Sequence, residues 1–194
     1  MKDLVFVKAN FIKHDFKKLG EIKNPDPKEF NKAIEHKIYI PQDRVGDVRP
    51  NLKMLCAFLT IRVIGNNKLM TFGSGDEIKI ALDIPVSRKD FKAGEQFGFQ
   101  QAVVNFFKQY APMELMPKTH LDVSGVINHD NMFGIHYTVL VPEELETALR
   151  KSDMENGKTL SLKDLQGKYR PKLSSVSAMC IDNYKEVRKE ESNG

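Results

Sequence analysis

Apolar residues between Phe99 and Tyr110 recur at i, i+3, i+4, i+7, i+8 and i+11, as Phe99, Ala102, Val103, Phe106, Phe107 and Tyr110. That spacing sets them on one helical face and predicts an amphipathic helix, with Pro112 and Pro117 bounding the region after it. Downstream, Leu121–Ile127 and Phe133–Val141 predict two strands, and NHDNM between them has the composition of a turn. Upstream, MLCAFLTIRVI (Met54–Ile64), Gly65-Asn66-Asn67 and KLMTF read as strand, tight turn and strand. EIKIALDIPV then places Ile78, Ile80, Leu82 and Ile84 on one face of a third strand.

The flanks are weaker but readable. Leu4-Val5-Phe6-Val7 is a short strand, and Ile38-Tyr39-Ile40 an extended stretch ended by Pro41. Asp26 is placed as a helix N-cap with Pro27 at the first helical position, and Phe30, Ala33 and Ile34 share a face. Toward the C-terminus, PEELETALRKS carries acids in its first turn and basic residues in its last, which suits the helix dipole. Ser161 and Asp164 form a capping arrangement for a short helix. Leu173, Val176, Cys180, Tyr184 and Val187 form the stripe of a terminal helix. Hairpins with helices set between them predict an α+β or mixed α/β class.

Composition narrows this picture. The chain has 194 residues, 41% apolar and 29% charged, with no run near the length of a membrane span. One domain of ordinary size is the expectation, over 1–194, with residues up to about 50 as an N-terminal strand and helix extension. Asp3 and Lys8 interrupt the apolar N-terminus, so a cytoplasmic protein is expected and no membrane partner. Cys56 and Cys180 lie far apart inside apolar segments, which predicts buried free thiols. The net charge of +4 comes from scattered lysines, not an arginine-rich arm, so nucleic acid is not indicated as a partner.

Candidate chemistry is sparse. There is no G-x-S-x-G, Walker loop or G-x-G-x-x-G, so acyl transfer and P-loop chemistry have no motif to rest on. His120, Asp122, His129, Asp130 and His136 form the one stretch rich in His and Asp. His136 sits between Ile135 and Tyr137 in a strand of buried character, as a core or pocket histidine would. Phe72, ahead of Gly73-Ser74-Gly75, has the chemistry to stack on a base, as have Tyr110 and Tyr137.

The order of these elements resembles the Nudix family. The resemblance is carried by Met54–Phe72, the Phe99–Tyr110 helix, Phe133-Gly134-Ile135-His136, Ser161-Leu162-Lys163-Asp164-Leu165 and Lys172–Ser177. It implies a Nudix-like α/β/α sandwich with a mixed sheet and a nucleotide-sized pocket. The family's box, G-x5-E-x7-R-E-U-x-E-E-x-G-U with U bulky and apolar, holds magnesium or manganese on glutamates of one helical face. With Phe106 on the apolar U, Val104 takes the arginine position, Asn105 the first glutamate, Lys108 and Gln109 the paired glutamates, and Ala111 the closing glycine. The first glycine then falls at Asp90 and the upstream glutamate at Gln96.

The spacing of that face survives while its carboxylates do not. The resemblance therefore implies a degenerate site that binds a nucleotide-type ligand or a protein partner through Phe72, Asn105, Lys108, Gln109 and His136, with no cofactor. The alternative is an active pyrophosphohydrolase of a nucleoside-diphosphate-linked substrate. Its Mg2+ would sit on ligands outside the box, Asp90, Glu95 and Asp130, with Glu95 and Asp130 catalytic.

Overall fold

The computed structural model describes residues 2–12, 16, 20–65, 68–73, 76–93, 97–112, 114, 120–151 and 158–182. The chain runs through β1 (Asp3–Lys8), β2 (Gly20–Ile22), α1 (Pro27–Ala33), β3 (Ile38–Pro41), β4 (Leu52–Val63), β5 (Lys68–Thr71) and β6 (Ala81–Pro85). It continues through α2 (Phe97–Tyr110), β7 (His120–His129), β8 (Met132–Val141), α3 (Glu143–Lys151), β9 (Lys158–Ser161) and α4 (Leu162–Gln166), and residues 175–182 form α5. The class is α+β with a mixed sheet: most strand pairs are antiparallel, and Ile78 bridges Leu173 in parallel.

Two compact units divide the chain, and β4, β6, β7, β8 and α2 contribute residues to both. The first comprises Met1–Phe58, Asp83–Phe106 and Val123–Tyr137. Its strands follow the order β2-β7-β8-β4-β1-β3. Asp26 caps α1 as expected, its Oδ1 accepting the Lys28 N–H at 2.8 Å. The cap turns Phe30 inward, and α1 and α2 add their rings to those of the sheet. Phe30 lies 5.5 Å from Phe133 and 5.6 Å from Phe99, and Phe16 lies 5.8 Å from Phe133, distances at which aromatic rings pack favourably. Phe16, Phe99 and Phe133 are fully buried there.

β7 and β8 form the expected hairpin, with Asp130 at a left-handed φ of 42° in its turn. At Gly134 the backbone passes so close to β4 that a Cβ would lie 1.7 Å from the Cys56 carbonyl oxygen. Only glycine fits there.

The second unit comprises Leu59–Leu82, Phe107–Asp122 and Thr138–Gly194. β5 pairs the end of β4 at Arg62–Leu69 on one side and β9 on the other. Ser161 caps α4, its Oγ accepting the Asp164 N–H at 3.1 Å and donating to the Asp164 carboxylate at 2.6 Å, the predicted arrangement.

The third strand is shorter than the alternation of Ile78, Ile80, Leu82 and Ile84 predicts, because the chain changes partner along it. Lys79 bridges Phe72, Ile78 bridges Leu173, and the Ile80 N–H donates to the buried Ser177 Oγ of α5 at 2.9 Å. Regular pairing begins only at Ala81. Of the predicted C-terminal stripe, Val176 and Cys180 are buried, while Tyr184 and Val187 lie outside the described residues. No helix is long and apolar enough to cross a membrane, among the described residues.

Candidate functional site

α2 begins two residues ahead of the predicted Phe99 and buries Phe99, Ala102, Val103 and Phe107 of its stripe. Its opposite face is polar and exposed. Asn105, Lys108 and Gln109 stand there at i, i+3 and i+4, and the helix's 14 residues include no aspartate or glutamate. Lys108 is in the last turn, where a cation also suits the helix dipole.

Within the first unit, Asn105 is tied to the segment that precedes α2. Its Nδ2 donates to Asp90 Oδ1 at 2.8 Å, and its Oδ1 accepts from Gln101 Nε2 at 3.0 Å. Asp90 is only 4% exposed, and its other oxygen accepts the Ser87 N–H at 2.8 Å and the Ser87 hydroxyl at 2.6 Å. Asp90 thus reaches back to cap the start of the 3-10 turn Arg88–Ala93, the carboxylate half of a capping box, while its own N–H donates to the Ser87 carbonyl oxygen at 3.0 Å. A carboxylate that already accepts three protein donors in a buried position is poorly placed to serve as a hard-cation ligand. The capping residue was recognisable from the Ser-x-x-Asp spacing; its bond to Asn105, fifteen residues on, was not.

A second buried cluster of the first unit joins β2 to β8. His136 Nδ1 lies 2.6 Å from Glu21 Oε1, and both side chains are only 2% exposed. A carboxylate can only accept, so Nδ1 carries the proton. Gly125 makes room for the pair, since a Cβ there would lie 3.2 Å from both Cγ and Oε1 of Glu21 and 2.6 Å from the Ile22 carbonyl oxygen. His136 is therefore a satisfied interior histidine. Glu21, 115 residues away in sequence, carried no signal that would have paired them.

Asp130 is at the β7–β8 turn with its side chain 71% exposed, beside His129 at 3.3 Å, and its carbonyl oxygen accepts from the Lys53 ammonium. Partial burial lowers the Lys53 pKa, and the nearby Asp130 carboxylate opposes that shift. Phe72 is buried in the second unit, bridging Lys79. Glu95 lies outside the described residues, as does the His120 side chain.

No family model matches the chain, and no curated protein matches it. Among solved structures, that of Tm1382, described as a candidate Nudix hydrolase, superposes with a TM-score of 0.72. The match covers 95% of this chain and 99% of that one, at 13% sequence identity. The fold is Nudix-like. At that identity the likeness is one of fold, and the chemistry of the Nudix-like chain has to be read from its own residues. Those of the exposed α2 face do not fit a divalent metal. Two amides and an ammonium stand at 105, 108 and 109, where a hard cation needs several oxygens, preferably anionic.

Proposed function

We propose that this Nudix-like protein binds a nucleotide-type, phosphate-bearing ligand on the polar face of α2 without a divalent metal and does not hydrolyse it. The observation that carries the reading is the composition of that face. No carboxylate occurs in α2, and Lys108 is exposed at the position that the box alignment gives to one of the paired glutamates. In a metal-dependent site the cation would neutralise the diphosphate. A lysine ammonium neutralises phosphate charge directly, as a strongly hydrated point charge on a flexible stem. Asn105 and Gln109 supply side-chain N–H donors beside it along the helix.

Replacing Lys108 tests the reading. Lys108→Glu reverses the charge at an exposed helical position and leaves the buried stripe untouched. Affinity for ADP-ribose or a nucleoside triphosphate falls at least about tenfold, the scale of a hydrogen bond to a charged group. Unchanged affinity in Lys108→Glu, or turnover of ADP-ribose by the wild-type protein with Mg2+ or Mn2+, contradicts it.

A further inference from the structure

Asp90 is poorly placed as a metal ligand, yet its contacts extend beyond the needs of a helix cap. The cap needs no more than the Ser87 N–H and hydroxyl that the carboxylate takes through Oδ2. Its Oδ1 goes on to take the Asn105 Nδ2 donor at 2.8 Å. Resting on the reading of α2 as an anion-binding face, we infer that Asp90 is a positioning residue for that face and sets the Asn105 amide as a donor toward the ligand.

The geometry follows from what each group can do. A carboxylate only accepts, so the Asn105 amide must turn its nitrogen, not its oxygen, toward Asp90. One helical turn earlier, Gln101 donates Nε2–H to Asn105 Oδ1 at 3.0 Å, which engages the oxygen as well. The amide is planar, so the direction of its second N–H is fixed by the first. Asn105 is exposed, and among the described residues that second N–H meets no further acceptor, which leaves it for solvent or a bound oxygen. A cation would need the amide oxygen, whereas a phosphate oxygen accepts the N–H that Asp90 has oriented. Asp90 is itself held by burial and by both Ser87 donors, so the relay Asp90–Asn105–Gln101 starts from a fixed end. The ligand class is thus an oxyanion, of which a diphosphate is the nucleotide-type member.

Side-chain amide NMR of the ligand-free wild-type protein gives the first readout. One Asn105 Nδ2 proton is expected shifted downfield and slowed in exchange relative to the exposed Gln109 amide. Asp90→Asn is isosteric and sets an N–H2 group against Asn105, which inverts the relay. The protected signal is then lost, and affinity for ADP-ribose, measured by calorimetry with thermal unfolding recorded in parallel, drops about tenfold.

Wild-type Asn105 protons that behave like those of Gln109 overturn the inference. So does unchanged ADP-ribose affinity in Asp90→Asn once its amide signal is gone. If the wild-type protein shows the protected, Asp90-dependent signal but binds no ADP-ribose, the anion-face reading fails while the relay stands. Should Asp90→Asn not fold, Asn105→Leu removes the donor and leaves the Ser87–Asp90 cap. The same tenfold loss is expected, and unchanged affinity overturns the inference.

Discussion

Cys56 and Tyr137 show how burial sets the chemistry of single residues. Desolvation pushes the Cys56 thiol well above its ordinary 9.0, with the Asp83 carboxylate adding to the shift, and raises the Tyr137 phenol above 10.0. In both cases the folded state holds a proton that the unfolded chain gives up at lower pH. Their contribution to stability is therefore complete below the unfolded values and is lost as pH rises from them toward the raised folded values. Lys53, depressed by partial burial, runs in the opposite sense and is more exposed. Urea unfolding midpoints are expected to hold below pH 9.0 and to fall as pH passes 10.0, and Tyr137→Phe should flatten part of that fall. Midpoints with the same alkaline slope in wild type and Tyr137→Phe would show that the phenol has no part in it. Single residues were also where the sequence was least informative. Burial of Glu21 against His136 depends on Gly125 leaving space between neighbouring strands, a three-body condition that no local pattern encodes.

At the scale of elements, existence and type were largely legible, because amphipathic period and cap chemistry are local. The α2 stripe, the β7–β8 hairpin, the Asp26 cap and the Ser161 cap all rest on residues within a few positions of each other. Boundaries were set by partners instead. Ile78 and Ile80 alternate as a strand would, yet their backbone groups are claimed by Lys172 and Ser177. Gly134 is the sharpest case of partner control. In the Phe133-Gly134-Ile135-His136 stretch the glycine is required by the approach of β4, since an alanine Cβ would fall 1.7 Å from the Cys56 oxygen and 2.8 Å from its carbonyl carbon. Both atoms are backbone, so relief requires the strands to part. Gly134→Ala is expected to cost about 3 kcal/mol in chemical denaturation. A variant as stable as wild type would mean that the strand separation adapts.

For the whole molecule, the order of elements carried the fold. That order resembles a Nudix arrangement already in the sequence, and the superposition on Tm1382 agrees with it at 13% identity. Element order persists under sequence change because each element needs only its period and its caps. A site needs particular atoms at particular places; among the described candidates Asn105, Lys108 and Gln109 lie on α2, Asp130 in the β7–β8 turn, and Phe72 and His136 are buried. What α2 offers is a helix face without acids. Whether this face takes a phosphate-bearing ligand without metal is decided by calorimetric titration of ADP-ribose into the wild-type protein, once in EDTA and once with Mg2+ or Mn2+. Binding in EDTA is expected, with an affinity that added metal does not raise. Binding that appears only with metal would contradict that expectation.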